Sequence, residues 1–356
     1  MKVLILGVNG FIGSNLTSAI LRDTDWEIFG MDMASDKLGT AVKHPRFHFL
    51  EGDITINKEW IAYHVKKCDV CLPLVAIATP ATYVQDPLRV FNLDFEENLS
   101  IIRQCAKYKT RVLFPSTSEV YGMCPDESFN PETSNLVYGP IHKERWIYAC
   151  AKQLLDRVIF AMGKHDKLAF TLFRPFNWVG PGLDSIHTEK EGSSRVVTQF
   201  LGHLLRGEAI RLVDGGAQRR CFTYVSDGVD ALMRIIANKD GAANGQIFNL
   251  GNPDNDLSVR ELAEQLTDIA KGYPEAAAHV NRSRLEEVSS ANYYGTGYQD
   301  MSKRKPDISG ITAALGWTPK VSVDAMLRQT VAYYIHEFHH RESSVYDYYL
   351  RQASAS

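Results

Sequence analysis

The stretch that most constrains the fold is Gly7-Val8-Asn9-Gly10-Phe11-Ile12-Gly13, set between the apolar run Lys2-Val3-Leu4-Ile5-Leu6 and a segment of helical periodicity. Three glycines at this spacing, joining a first strand to a helix, let the backbone approach a pyrophosphate closely while the helix N-terminus faces its charge. Glycines alone also serve ordinary tight turns. Asp32, closing the second apolar run, strengthens the reading, because a carboxylate there accepts hydrogen bonds from an adenosine ribose and repels a 2′-phosphate. The pattern predicts NAD rather than NADP as cofactor. Gly7, Asn9, Gly10, Phe11, Ile12 and Gly13 would form the turn, with Asp32 on the ribose and Asp53 and Ile54, at the end of the third run, near the adenine.

The rest of the chain fits this beginning. Runs at 3–7, 26–31, 47–51, 70–75, 111–116 and 170–174 read as strands with helical patterns between them, the alternation that gives a Rossmann-type doubly wound parallel sheet. Residues 1–177 are expected to form the NAD-binding domain, with 222–250 returning to it. A smaller, interleaved C-terminal substrate-binding domain would comprise 178–221 and 251–345, including a helix at about 194–206, a strand at 210–213 and the turn Asp214-Gly215-Gly216. Ser258-Val259-Arg260-Glu261 has capping-box spacing ahead of a helix. Residues 346–356 read as a tail, partly disordered from about Arg341.

A net charge of −3 with interspersed signs offers no basic stripe, so no nucleic-acid partner is expected. The longest apolar run, residues 70–81, is broken by Pro73 and too short to span a membrane. The first apolar run leads straight into the glycine turn, which reads as a strand rather than a signal peptide, and a cytoplasmic location is the expectation. Six scattered cysteines suit reduced thiols. Cys68-x-x-Cys71 has metal spacing but enters a strand, where residues three apart face opposite sides, so no metal site is expected.

Chemistry enters with two further segments. Residues 146–160 carry Ile147, Ala151, Leu154, Leu155 and Val158 at helical spacing, leaving Tyr148 and Lys152 together on a neighbouring face. A free phenol is a poor base at neutral pH, so Lys152 is expected to supply the charge that favours the phenolate, and to reach the nicotinamide ribose. Before that helix, the fifth strand runs into Ser116-Thr117-Ser118-Glu119-Val120-Tyr121-Gly122. A carboxylate beside a reacting centre, a phenol with a lysine and a dinucleotide turn together describe hydride chemistry on a hydroxyl group.

These residues, with Asn177, Gln218-x-Arg220-x-Phe222-x-Tyr224-Val225 and Leu315-Gly316-Trp317-x-Pro319, resemble the extended short-chain dehydrogenase/reductase family of nucleotide-sugar enzymes over nearly the whole chain. The resemblance implies that Tyr148 takes the proton from a sugar C4 hydroxyl while NAD accepts the C4 hydride, assisted by Thr117 and Lys152. Sugar 4,6-dehydratases carry Asp-Glu after the threonine, where this chain has Ser118-Glu119, and dehydration is disfavoured. The segment is similar instead to the UDP-glucuronate decarboxylase branch. Within that branch, residues 75–80, 145–148, 173–178, 289–295 and 297–300 resemble the dehydrogenase domain of bifunctional polymyxin-resistance proteins and standalone UDP-4-keto-pentose synthases.

That likeness implies UDP-glucuronate as substrate, Glu119 and Arg304 as the acid/base pair of decarboxylation, and release of NADH with a UDP-4-keto-pentose. Thr117, Ser118, Ala78, Tyr83, Arg145, Asn177, Arg211, Arg220 and Tyr298 would contact the substrate. A homodimer or higher homo-oligomer through residues 99–108 and 146–160 is also implied. UDP-xylose and UDP-apiose/xylose synthases, which reduce the ketone again, are the nearest rivals, although the apiose-forming type has Cys at the position of Ser118. A UDP-glucuronate 4-epimerase and a non-catalytic NAD-sensing protein are further alternatives.

Overall fold

The computed structural model describes residues 1–188, 194–294, 299, 301 and 303–355. The six apolar runs form strands β1 (Lys2–Leu6), β2 (Glu27–Asp32), β3 (Phe47–Glu51), β4 (Val70–Pro73), β5 (Arg111–Pro115) and β6 (Phe170–Pro175). A seventh, β7 (Gln246–Leu250), pairs with β6, giving the order β7-β6-β5-β4-β1-β2-β3 with every pair parallel. Parallel neighbours require crossovers, and the crossover helices cover both faces. Successive strand residues face opposite sides, so Val3 and Ile5 of β1 enter one core and Leu4 and Leu6 the other, all without exposed surface. The expected Rossmann-type α/β fold is the one observed.

Helix α1 (Phe11–Asp23) packs on the first face, and α2 (Lys58–Lys67), α3 (Asn98–Tyr108) and α4 (Trp146–Asp166) on the second. Cys71 of β4 and Cys105 of α3 meet in that second core, and all six cysteines are free thiols. Farther along lie α5 (Val196–Arg206), α6 (Val225–Ala237), α7 (Val259–Lys271) and α8 (Val323–His340). The expected capping box starts α7: the Glu261 N–H donates to Ser258 Oγ (3.1 Å) and the Ser258 N–H to the Glu261 carboxylate (2.7 Å). Leu201 of α5, Leu266 of α7 and Leu327 of α8 are continuous with the core that Val3 and Ile5 enter. Short strand pairs, Ile210–Val213 with Leu285–Val288 and Arg219–Cys221 with Asp256–Ser258, complete this side.

The end of the chain corrects the sequence reading. In place of a partly disordered tail, α9 (Val345–Ala355) packs beside α1, with Val345 fully buried. The charged and small residues at 341–344 suggested a loose end, but Val345, Tyr348 and Tyr349 find partners that no local pattern reveals. Among the described residues no helix is long and apolar enough to cross a membrane.

Candidate functional site

One cleft opens where β1, β4, β5 and β6 end: Gly7, Leu74, Pro115 and Pro175 all line it. Carboxyl ends of parallel strands are where ligands bind in such sheets. Gly7 leaves β1 with φ of +88°, a conformation that favours glycine. A Cβ on Gly13 would lie 2.5 Å from the Gly7 carbonyl oxygen, so only glycine lets α1 pack this close to the turn. Gly10 precedes α1 and no side chain among the described residues caps it, which leaves the first-turn N–H groups of Phe11, Ile12 and Gly13 toward the cleft.

Asp32 accepts the N–H groups of Asn9 and Met33, both at 2.8 Å. Burial raises its pKa, while these hydrogen bonds and Lys37 act against that rise. Asp53 and the buried Ile54 line a neighbouring cavity together with Asp32. The Asp53 carboxylate is turned to its own loop, accepting the Thr55 N–H and hydroxyl at 2.8 Å each.

At the end of β5, Thr117 Oγ1 accepts the Glu119 N–H (3.2 Å) and starts a tight turn, Ser118–Tyr121, which aims this segment into the cleft. Tyr148 of α4 lies across from it, stacked face to face on the fully enclosed Tyr83 with ring centroids 4.7 Å apart and planes 6° apart. Burial pushes the Tyr148 phenol well above its ordinary range. The Asp94 and Glu119 carboxylates push it further, and a hydrogen bond with Thr117 and the charge of Arg195 oppose them.

Lys152 shares the cleft. Its ammonium donates to the Pro115 carbonyl (3.0 Å), and burial lowers its pKa against the pull of Asp94 and Asp156.

Asp94 itself was missed in the sequence. It has no exposed surface, accepts the Ile77 N–H (2.8 Å), and burial lifts its pKa to about 6 although Lys152 lowers it. It sits in a π-helical turn, Asn92–Glu97, a feature often found at functional sites. The signal was present: Val90, Asp94, Asn98 and Ile101 recur at helical spacing and all four are buried, so an acid and an amide stand on the buried face between two apolar residues. Arg195, lining the same cleft, was missed too. A cation at the N-cap of α5 opposes the helix dipole, which calls for another reason, and here it binds Asp184 through Nη2 (2.8 Å) and covers the Phe11 ring at 5.4 Å.

The substrate-side groups gather around Glu119. Arg145 Nη2 donates to Glu119 Oε2 (2.8 Å), and Arg304 Nη1 lies 3.5 Å from Glu119 Oε1. All three side chains are nearly enclosed. Arg304 reaches this point because the residues after it cross the segment at Phe129. The Phe129 N–H donates to the Lys305 carbonyl (2.8 Å) and the Asp307 N–H to the Phe129 carbonyl (2.9 Å), while the Arg304 carbonyl accepts the Cys221 N–H (3.4 Å).

Beyond Glu119 the cleft continues into a second chamber bearing Arg211, Gln218 and Arg220; Ala78, Glu119, Asn177 and Arg304 line both parts. Arg220 Nη1 donates to the Met301 carbonyl (2.9 Å), and Asn177, at φ +41°, to the Cys221 carbonyl (3.2 Å). Tyr83 lines the cleft, stacked on Tyr148, and Tyr298 falls outside the described residues. Every other residue expected at the substrate lines one of the two chambers or touches Glu119.

Comparison with known proteins agrees with this architecture. Residues 3–251 match the model of the NAD dependent epimerase/dehydratase family. The crystal structure of PbgP3 protein from Burkholderia pseudomallei is 60% identical, covers 96% of this chain and 99% of its own, and superposes with a TM-score of 0.87. Fold alone is shared with UDP-glucose 4-epimerase from Thermotoga maritima, solved with UDP-glucose (23% identity, 95% and 100% of the two chains, TM-score 0.76). The same holds for UDP-glucuronic acid 4-epimerase from Bacillus cereus, solved with UDP-glucuronic acid and NAD (20% identity, 94% and 99%, TM-score 0.78). With a strand-end cleft, a glycine turn and a phenol facing a threonine, the chain belongs to the NAD dependent epimerase/dehydratase family, and its cofactor is NAD.

Proposed function

We propose that the chain oxidises UDP-glucuronate at C4 and decarboxylates it, yielding a UDP-4-keto-pentose, carbon dioxide and NADH. The observation that carries this reading is the clasp of Glu119 by Arg145 and Arg304, in the same cleft as Tyr148 and Thr117. Two guanidiniums around one carboxylate leave cationic surface for a second, the carboxylate of a uronic acid. The residues on the other side fit NAD: a glycine turn with no room for a side chain at Gly13, uncapped N–H groups, and Asp32 beside the adjoining cavity.

Bound there, NAD supplies the acceptor for the C4 hydride. Tyr148 takes the C4 hydroxyl proton, with Thr117 holding the phenol oxygen and Lys152 anchored at Pro115. The resulting ketone lies β to the carboxylate, so when the bond from C5 to the carboxyl carbon breaks, its electron pair passes to the C4 oxygen as an enolate. Glu119 and Arg304 deliver the proton that C5 then takes up. Arg211 and Arg220 would face the diphosphate in the second chamber, with Gln218 beside them.

Incubation with UDP-glucuronate and NAD tests the proposal. Absorbance at 340 nm should rise in step with a product lighter by carbon dioxide and two hydrogens. Product of pentose mass without net NADH would identify a synthase that reduces the ketone again, and retention of the carboxyl carbon would identify an epimerase; either overturns the reading.

A further inference from the structure

Helix α9 grips the loop that carries the adenosine-side groups. Val345 donates its N–H to the Lys37 carbonyl (2.9 Å), Asp347 accepts the N–H (3.1 Å) and the hydroxyl of Thr40, and the Tyr349 hydroxyl donates to Asn15 Oδ1 of α1 (2.8 Å). Two of these partners, Lys37 and Asn15, are one bond from the glycine turn or its neighbours. The Lys37 N–H donates to Asn9 Oδ1 (2.9 Å), Asn9 Nδ2 donates to Asp36 (2.7 Å), and the Asn9 N–H is held by Asp32 (2.8 Å). Asn15 Nδ2 donates to the carbonyls of Phe11 and Pro181, both at 2.9 Å. Thus α9 holds the loop after β2 with one set of residues and the first turns of α1 with another.

The loop needs such support. Met33, Ala34 and Asp36 are exposed, and regular structure returns only at the short turn Gly39–Lys43, against which α9 packs. A loop left free would have to be ordered each time a ligand binds, and that entropy is subtracted from affinity.

We propose that α9 is a brace for the NAD site. By fixing the Asp32–Lys37 loop against α1, it holds Asp32 and Asn9 in the arrangement that receives the adenosine ribose. It sets cofactor affinity without touching the cofactor, and neither Asp347 nor Tyr349 lines the cleft. Both act as positioning residues.

Calorimetric titration with NAD, and separately with UDP, of the parent chain, a chain ending after Arg341, and the double variant Asp347→Asn/Tyr349→Phe tests this. The NAD Kd should rise about tenfold in the shortened chain and about three- to fivefold in the double variant, with the UDP Kd within about twofold of the parent. In turnover the KM for NAD should rise while kcat stays near the parent value. An NAD affinity in the double variant equal to the parent's overturns the proposal, and so does equal weakening of NAD and UDP, which would mark general loosening. If the shortened chain does not fold, the double variant decides. The inference needs only the cofactor: a parent that binds no UDP would overturn the substrate reading, and the unfolding midpoint without ligand would then replace UDP as the control.

Discussion

On the glycine-turn side of the cleft, the groups come from the ends of neighbouring parallel strands, so the sheet itself places Gly7, Asp32 and Thr117. On the opposite side, Glu119, Arg145, Arg220 and Arg304 are gathered from four separate stretches and held by one another and by single backbone contacts. The first half is set by local structure, the second by long-range register. The family model, ending at residue 251, matches all of the first half and stops short of Arg304.

Substitutions can separate the halves. Tyr148→Phe should lower NADH formation by about a thousandfold or more by removing the base, with the NAD Kd unchanged in a binding titration. Loss of NAD binding in that variant would join halves that the comparison keeps apart. Arg304→Ala should cut carbon dioxide release about a hundredfold, and Glu119→Gln likewise, with NAD affinity retained. Conversely, Gly13→Ala strikes only the cofactor half: with the Gly7 carbonyl oxygen 2.5 Å from the new Cβ, NAD affinity should fall about tenfold and stability by about 1–3 kcal/mol, measured by titration and denaturant unfolding.

Asp94→Asn gives the smallest and sharpest test. It removes a carboxylate that raises the Tyr148 pKa, so the rising limb of the pH–rate profile should move to lower pH. Because folding raises the Asp94 pKa from 3.8 to about 6, its contribution to stability is present below the unfolded value and is lost as pH rises through about 6. The variant should therefore gain about 2–3 kcal/mol at most at pH 8, the gain fading as pH falls from about 6 to about 4, as read by urea unfolding.

The two halves also differ in how far the sequence discloses them. Apolar runs of period suited to buried strands located all six predicted strands, and helical spacing set Tyr148 and Lys152 on one face. The meeting of Glu119 with Arg304 was legible only through family resemblance, since nothing in either segment's periodicity brings them together. Asp94, whose pKa burial lifts to about 6, went unread, although its helical spacing from the buried Val90 and Ile101 could have exposed it. The docking of α9 was illegible for a different reason. Its partners Asn15, Lys37 and Thr40 are polar groups scattered at the other end of the chain, which hydrophobic patterning does not mark.

The crossing of Lys305 and Asp307 at Phe129 acts as a gauge of chain length. Residues in extended chain alternate sides, so one residue inserted between Arg304 and that crossing would swing the guanidinium away from Glu119 while leaving the sheet, the glycine turn and the phenol in place. Such a protein would keep hydride transfer and lose one of the two guanidiniums at its carboxylate. On this scaffold, a change of reaction is open to a shift in spacing as much as to the replacement of a reactive residue.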